Sequence, residues 1–222
     1  MQNKSSAGAT SDAARQLLHF VTAARLGGRR TFTEGEAITS AGETDDVLHL
    51  LLDGAVAEYM GEDGQVVLGL RLPPEPLGLA AVTGEPHWST AVALSGVVTR
   101  AVPVRDVQAL AAADPAAGLA LLGVTWTRLR RIDRSRVEAT ITTATQRLAR
   151  RLLELAPVLG QADPGSGAVR LRFTQSDLAA WAGTTRESVV RALRQLRAAG
   201  TASTEHRTVL IHDLDALRLL AG

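Results

Sequence analysis

Cysteine is absent from the 222-residue chain. Its absence excludes disulfide bonds, thiolate zinc sites, cysteine-ligated iron–sulfur clusters and cysteine nucleophiles. Aromatic residues make up only 3% of the chain, so a hydrophobic core has to be built from Ala, Val and Leu. The sequence also lacks a signal-peptide pattern at its start and a run of about 18 apolar residues, the length a membrane-spanning helix needs. We therefore expect a cytoplasmic protein that does not contact a membrane.

Signatures of enzymes are missing as well. The sequence contains no P-loop, no G-x-G-x-x-G after a strand, no metal-ligand cluster and no Ser/His/Asp arrangement at a recognisable spacing. His19, His49 and His87 are candidate haem ligands, but no cysteine or fixed histidine spacing supports haem, and we expect surface or packed histidines. The acidic residues within 45–53 are interpreted as solvated turn residues rather than a cation site. The sequence thus predicts a protein that is not an enzyme and holds neither a metal nor another cofactor.

Charge is distributed unevenly along the chain, although the net charge is only +1. Residues 1–142 carry 13 basic against 16 acidic side chains, a net −3, whereas residues 143–222 carry 11 against 7, a net +4. Lys4 is the only lysine, so the positive charge is almost entirely arginine. A polyanion would therefore meet the C-terminal part of the chain.

Two stretches of the N-terminal two thirds have helical spacing. Residues 11–26 have apolar side chains at helical intervals, with Ser11 as a candidate cap. Residues 106–140 are also predicted to be helical. Within them Asp114 is placed to cap a helix whose first turn contains Pro115, a position that proline tolerates.

Extended structure is predicted between these helices. Residues 31–103 are short apolar runs separated by Gly, Pro and Asp, the pattern of a β-sandwich or barrel, and residues 61–64 fit a hairpin turn. A capping box at Thr143 and Gln146 then opens a further helix over residues 144–156.

One apolar stripe follows the long predicted helix. Its members are Leu119, Leu122, Trp126 and Leu129, which step by three or four residues. Such a stripe on a strongly charged helix is typical of a dimer seam, but it also fits a helix packed on its own domain. The pattern leaves both interpretations open.

Residues 173–200, FTQSDLAAWAGTTRESVVRALRQLRAAG, have the pattern of a helix-turn-helix. Thr174 is placed to cap the first helix, Gly183 suits the tight turn, and Thr184 is predicted to cap the second helix. The second helix begins with Arg and Glu, which can read guanine and cytosine in the major groove. Residues 201–211 then supply two short strands as a wing. A helical hairpin with a solvated arginine face is the alternative, but the combination of caps, turn, readers and wing favours DNA binding.

These residues resemble the Crp/Fnr family of transcription regulators. T-Q-S-D-L-A…G-T-T-R-E-S-V-V-R-A-L within 174–200 is similar to the family's winged helix-turn-helix. Residues 35–56 and 93–107 resemble the opening and the end of its β-roll, and residues 115–156 align with its dimerisation and hinge helices. The resemblance implies an α+β fold with a jelly-roll-like N-terminal β-roll, a long dimerisation helix and a C-terminal winged helix-turn-helix. It also implies a homodimer on a two-fold symmetric double-stranded DNA site, with RNA polymerase as a candidate partner.

The resemblance also implies domain boundaries. The expected parts are an N-terminal helical segment over 1–28, a sensor-like roll over 29–113, a dimerisation helix over 114–141 and a DNA-binding domain over 142–222.

Roles for the helix-turn-helix residues follow from the same resemblance. Arg186, Glu187 and Arg191 match the family's base-reading positions, which favours a GTG-type half-site core. The positions that match or adjoin its phosphate contacts are Thr174, Gln175 and Thr185.

The nucleotide pocket of the family is degenerate in this sequence. After Gly78, the position of the ribose-binding glutamate carries Leu79, and the position of the phosphate-binding arginine falls on His87, Trp88 or Ser89. Trp88 itself is expected to be a core residue. The two hydroxyl residues that face the base in the family fall on Ile132 and Asp133. We therefore expect no gating by cAMP. A regulator that binds a different small molecule in the roll, or a sensor module that has lost DNA binding, remains the alternative.

Overall fold

The computed structural model describes residues 12–61 and 66–222. The expected cap at Ser11 and most of the expected turn at 61–64 lie outside these ranges. The chain divides into two compact units, one up to Asp133 and one from Arg134 onward.

The first unit is a β-roll flanked by helices. Its described part starts with helix α1, Asp12–Ala23, and contains the strands β1 Gly28–Phe32, β2 Ala37–Thr39, β3 Val47–Asp53, β4 Val56–Met60, β5 Val66–Arg71, β6 Pro76–Leu77, β7 Thr90–Ala93 and β8 Val97–Pro103. A 3₁₀ helix, Leu79–Thr83, follows β6. The strands form two four-stranded antiparallel sheets, ordered β1-β8-β3-β6 and β2-β7-β4-β5. β1 begins at Gly28, one residue before the expected start of the roll.

Strand β3 connects the two apolar clusters of this unit. Leu48 and Leu50 pack with α1 and with the helices that follow β8, whereas Leu51 belongs to a cluster with residues of β2, β4, β6, β7 and β8. Because β3 is covered on both faces, it reads as a nearly continuous apolar run rather than an alternating one. The largest fully buried side chains of the chain are leucines together with Ile211, as the shortage of aromatic residues predicted.

Two helices follow the roll, α2 over Val104–Ala113 and α3 over Pro115–Ile141. The chain bends by 120° between them. The predicted cap is confirmed, because the Asp114 carboxylate accepts a hydrogen bond from the Ala116 amide at 2.9 Å. No single helix in the described part of the chain has the length and apolar composition of a membrane span, although the bent pair α2–α3 reaches both when taken together.

The second unit is a helical domain with one small sheet. After the last turns of α3, its elements are α4 Ala144–Leu159, β9 Gln161–Ala162, β10 Val169–Arg172, α5 Gln175–Ala182, α6 Arg186–Ala198, β11 Ala202–Glu205, β12 Thr208–Ile211 and α7 Leu214–Ala221. The sheet has the order β11-β12-β10-β9. The capping box at Thr143 and Gln146 is confirmed, and α4 extends three residues past its predicted end. The α+β architecture of roll, long helix and winged helix-turn-helix is therefore as expected.

Candidate nucleic-acid interface

Helices α5 and α6 form the predicted helix-turn-helix. Thr174 caps α5 by accepting a hydrogen bond from the Asp177 amide at 3.1 Å, and the Asp177 carboxylate accepts one from the Thr174 amide at 2.7 Å. Gly183 ends α5 with φ of 56°, a left-handed conformation that costs glycine little. Phe173 and Trp181 contact each other edge to face at 6.3 Å between ring centroids, which packs α5 against the preceding strand.

The predicted cap of α6 was wrong by one residue. The hydroxyl of Thr185, not that of Thr184, accepts the hydrogen bond from the Ser188 amide, at 3.3 Å. Thr184 lies within the turn, where its own amide donates to the Ala179 carbonyl at 3.0 Å. A cap has to be the extended residue directly before the first helical residue, and that residue is Thr185.

The three predicted base-reading residues are exposed on the first turns of α6. Arg186, Glu187 and Arg191 all face solvent, and the Arg191 guanidinium donates to the Ser188 hydroxyl at 3.1 Å. The opposite side of α6 holds the domain core through the buried side chains of Val189, Ala192, Leu193 and Leu196. The amphipathic spacing therefore turns the side chains of Arg186, Glu187 and Arg191 outward.

Glu187 is held in its charged form. Hydrogen bonds from its own backbone amide and from the Thr185 hydroxyl, with smaller effects of Arg186 and Arg191, lower the pKa of Glu187 below its ordinary value. An ionised carboxylate beside two guanidinium groups offers both an acceptor and donors to base edges.

The predicted wing is a β-hairpin with a two-residue loop. β11 and β12 pair so that Glu205 lies opposite Thr208, and His206 and Arg207 form the tip with φ values of 24° and 61°. A cavity of about 390 Å³ lies between this wing and the helix-turn-helix. Its lining includes Thr174, Gln175, Arg186, Glu205, His206 and Arg207. All six predicted DNA-contacting residues are half-buried or exposed. Thr174, Gln175 and Arg186 line this cavity, Glu187 and Arg191 lie on α6, and Thr185 caps that helix.

The predicted pocket segment is tightly packed around Gly78 and His87. Gly78 has φ of 75°, and a Cβ atom there would lie 3.3 Å from Cε1 of the His87 ring. His87 and Ser89 are buried and Leu79 is half-buried. His87 Nε2 lies 3.1 Å from a carboxylate oxygen of Asp45, although this contact lacks hydrogen-bond geometry.

Trp88 does not belong to the core. Its side chain is 59% exposed, so the expected core position is wrong. Trp88 lies in the loop before β7, between the buried residues His87 and Ser89. Its own side chain points outward, on the side of the loop opposite to theirs.

Of the three histidines considered as haem ligands, His19 lies on the surface, and His49 and His87 are buried. His19 is exposed on α1, whereas His49 is buried with its Nδ1 3.0 Å from the Thr99 hydroxyl. Burial, with a smaller effect of Arg30, lowers the pKa of His49 to about 4. Within the described part of the chain, no group of three or more His, Asp and Glu side chains is arranged to hold a metal ion.

Helix α3 presents two different faces. Ala117, Ala120 and Val124 are buried in the first unit. The stripe residues are exposed, with exposed fractions of 67% for Leu119, 64% for Leu122, 58% for Trp126 and 49% for Leu129. The helix therefore packs on its own domain with one face and leaves the predicted seam free.

Ile132 and Asp133 are also exposed, and α3 meets the roll through Arg128 and Arg131 instead. Their acidic partners, Glu58 and Glu75, were not singled out in the sequence. The sequence signal for this contact was a glutamate in the middle of the otherwise apolar strand β4, where a buried charge needs a partner.

Two family models match the chain. One describes a cyclic nucleotide-binding domain and covers residues 29–114, and the other describes a Crp-like helix-turn-helix domain and covers residues 146–220. A CRP-like cAMP-activated global transcriptional regulator of Mycobacterium tuberculosis is 31% identical over 191 residues, 84% of each chain. The transcriptional regulator LdrP of Thermus thermophilus is 28% identical over 195 residues, 87% of this chain and 96% of that protein. A solved CRP/FNR family regulator, also from Thermus thermophilus, has a TM-score of 0.75 at 26% identity, covering 87% of this chain and 98% of that chain.

Proposed function

Since the chain belongs to the Crp/Fnr family of transcription regulators, we propose that it acts as a homodimer on a two-fold symmetric DNA site without activation by cAMP. In this proposal residues 29–113 are a sensor-like roll, residues 114–141 the dimerisation helix and residues 142–222 the DNA-binding domain.

The observation that carries the proposal is the exposed start of α6. Arg186, Glu187 and Arg191 project from its first two turns, next to a groove bounded by the wing. Arginine pairs with guanine through two hydrogen bonds and glutamate accepts from cytosine, so this set can read base edges. Thr174, Gln175 and Thr185 lie at the helix starts, where hydroxyl and amide groups commonly meet phosphates.

Dimerisation is supported by the free stripe of α3. Four large apolar side chains, each about half exposed or more, follow one side of a helix that is already packed on its other side. Contiguous exposed apolar surface of this kind marks an interaction site. A second copy of the same helix offers the self-complementary surface that a two-fold dimer requires.

Independence from cAMP is supported by the charges of the roll. A cyclic nucleotide phosphate carries a negative charge that has to be paired with a cation when it is buried. Neither Leu79 nor any residue of 87–89 supplies a guanidinium group. Buried Arg71 and half-buried Arg128 already form ion pairs with Glu58.

Selection of bound duplexes from a random DNA pool, followed by fluorescence anisotropy on the enriched site, tests the proposal. We expect a pseudo-palindromic site with half-sites about one helical turn apart, bound by two chains per duplex without added ligand. Failure to enrich any sequence would favour a sensor module that has lost DNA binding. Enrichment only after addition of a cell extract's small-molecule fraction would favour a regulator gated by another ligand.

A further inference from the structure

Five charged side chains meet between the roll and α3, and we call them the buried ion cluster. Glu58 belongs to β4, Arg71 ends β5 and Glu75 lies in the turn after β5, whereas Arg128 and Arg131 lie one turn apart on α3. The cluster therefore joins three segments of the roll's sequence to one face of the long helix.

The contacts of the cluster are specific. An Arg71 Nη atom donates to Glu58 Oε2 at 2.6 Å, and Arg128 Nη1 lies 3.5 Å from Glu58 Oε1. Arg131 donates to both carboxylate oxygens of Glu75, at 2.6 and 3.3 Å. Arg128 also donates to the backbone carbonyl of Pro76. Paired guanidinium–carboxylate contacts of this kind fix orientation as well as distance.

Three members of the cluster are buried, and the two arginines of α3 are half-buried. Glu58 is 4% exposed, Arg71 is 7% exposed and Glu75 is 9% exposed. Burial by itself raises the pKa of Glu58, but Arg128 and Arg71 outweigh burial and hold that pKa below its ordinary value. A buried charge that loses its partner is strongly unfavourable, so the members depend on one another.

The buried ion cluster is the main contact between the roll and residues 125–133, the second half of the part of α3 that lies in the first unit. Ala117, Ala120 and Val124 anchor the first half through small apolar contacts. In the described stretch 125–133, no apolar side chain is buried, and Arg128 and Arg131 make the contacts with the roll. This stretch is therefore held by ion pairs rather than by apolar packing.

The cluster also determines which side of α3 is free. Residues two apart on a helix are rotated by about 200°, so Trp126 points nearly opposite to both Val124 and Arg128. The stripe that includes Leu122, Trp126 and Leu129 thus faces away from the roll as long as Arg128 and Arg131 face it.

We propose that the buried ion cluster positions α3 for dimerisation and DNA binding, as an internal substitute for a bound effector. The proposal deepens the proposed function and rests on it. Glu58, Arg71, Glu75, Arg128 and Arg131 act as positioning residues: the ion pairs hold the helix against the roll, and a separate ligand is not needed to attach it.

Amide hydrogen exchange of the full-length protein tests the positioning directly. Glu58→Gln removes the central negative charge with almost no change in shape, and Glu75→Gln does the same at the edge of the cluster. We expect both variants to raise the exchange rate of residues 125–133 by about tenfold or more and to weaken DNA binding by about tenfold. Arg128→Gln should act similarly. Glu58→Gln combined with Arg128→Gln should lose less than the product of the two single losses, because each substitution alone already breaks the Glu58–Arg128 ion pair.

Thr99→Val is the matched control. It removes a buried polar contact, that with His49, from the same unit without touching α3. It should lower the melting temperature while leaving the exchange of 125–133 and the DNA affinity within about twofold.

The outcomes separate the two proposals. Unchanged exchange of 125–133 in folded Glu58→Gln or Glu75→Gln protein would overturn the positioning role, whatever happens to DNA binding. Faster exchange with unchanged DNA affinity would overturn the link to DNA binding. If the unsubstituted protein binds no DNA, the proposed function fails, and the exchange data still decide whether the cluster holds α3. Should Glu58→Gln not fold, Glu75→Gln at the more exposed edge carries the test.

Discussion

Arginine has two distinct environments in this protein. Arg191 extends into solvent from α6 and donates a hydrogen bond to Ser188, so its guanidinium is accessible to a ligand. The guanidinium of Arg128, by contrast, is already paired with Glu58 and with the Pro76 carbonyl. The same side chain is therefore open to a ligand in one place and a structural contact in the other, because burial and pairing differ.

Replacing a reader should weaken specific binding selectively. We expect Arg186→Ala or Arg191→Ala to cost about 1–3 kcal/mol on the selected site, with little effect on random DNA. Arg197→Ala is the matched control, because Arg197 is exposed in the last turn of the same helix. Anisotropy titrations on the selected and on scrambled duplexes provide the measurement. Equal losses on both duplexes would show that these arginines contact phosphates only.

Buried His49 should make the fold sensitive to acid. Its pKa is lowered to about 4 in the folded protein, mainly by burial, whereas the unfolded chain titrates near the ordinary value of about 6.5. The stability that neutral His49 contributes is complete above about pH 6.5 and is lost as the pH falls toward 4, by about 2 kcal/mol at pH 5.

Urea denaturation at pH 7.5 and pH 5.0 measures this effect. The loss of unfolding free energy between the two pH values should shrink in His49→Asn, which removes the titrating ring but keeps a polar group near Thr99. His19→Asn, at an exposed position of α1, should retain the full loss. An undiminished loss in His49→Asn would assign the acid sensitivity to other groups.

At the scale of the element, α3 has two apolar faces with different surroundings. One face joins the roll through small apolar residues and the ion cluster, and the other carries the exposed stripe. A helix packed on its own domain and a dimer seam were alternatives in the sequence. The structure packs a different face of α3, that of Ala117, Ala120 and Val124, on its own domain and leaves the stripe exposed.

A charge in the stripe should separate the chains. Trp126→Asp or Leu122→Asp would bury an unpaired carboxylate in the proposed seam, at a cost of several kcal/mol. We expect monomers by light scattering and loss of binding to the palindromic site. Leu219→Asp is the matched control, since Leu219 is an 84% exposed leucine on α7. A Trp126→Asp protein that stays fully dimeric would place the seam elsewhere.

At the scale of the whole molecule, the roll matches a cyclic nucleotide-binding domain model, although residues 79–89 contain no arginine to pair with a nucleotide phosphate. A ligand shifts DNA affinity only through its different affinities for the active and inactive states. A nucleotide that barely binds the roll cannot shift that balance.

We therefore expect cAMP and cGMP at millimolar concentration to change the DNA affinity by no more than about twofold, or roughly 0.4 kcal/mol. Anisotropy titrations with and without nucleotide measure the effect, and calorimetry of the protein alone measures binding. A micromolar site in calorimetry, together with tenfold tighter DNA binding, would contradict the expectation.

Local features of this protein were readable from the sequence because they depend on neighbouring residues. The capping boxes at Thr143 and Thr174, the helix break at Asp114 and the turn at Gly183 each involve residues within a few positions of one another. The helical spacing of α6 likewise determined which side faces outward. The cap of α6 was misplaced because two adjacent threonines fit the same pattern, and the backbone conformation of the turn selects between them.

Tertiary structure alone decided the roles of residues whose partners are distant in sequence. Glu58 and Arg128 are 70 positions apart, and Glu75 and Arg131 are 56 apart, so no spacing rule could have joined them. The exposure of Trp88 is equally non-local, because burial depends on what other segments cover. The sequence specified the helix-turn-helix and the stripe through periodicity. The packing of α3 against the roll paired the buried charges, because a low-dielectric interior tolerates them only together.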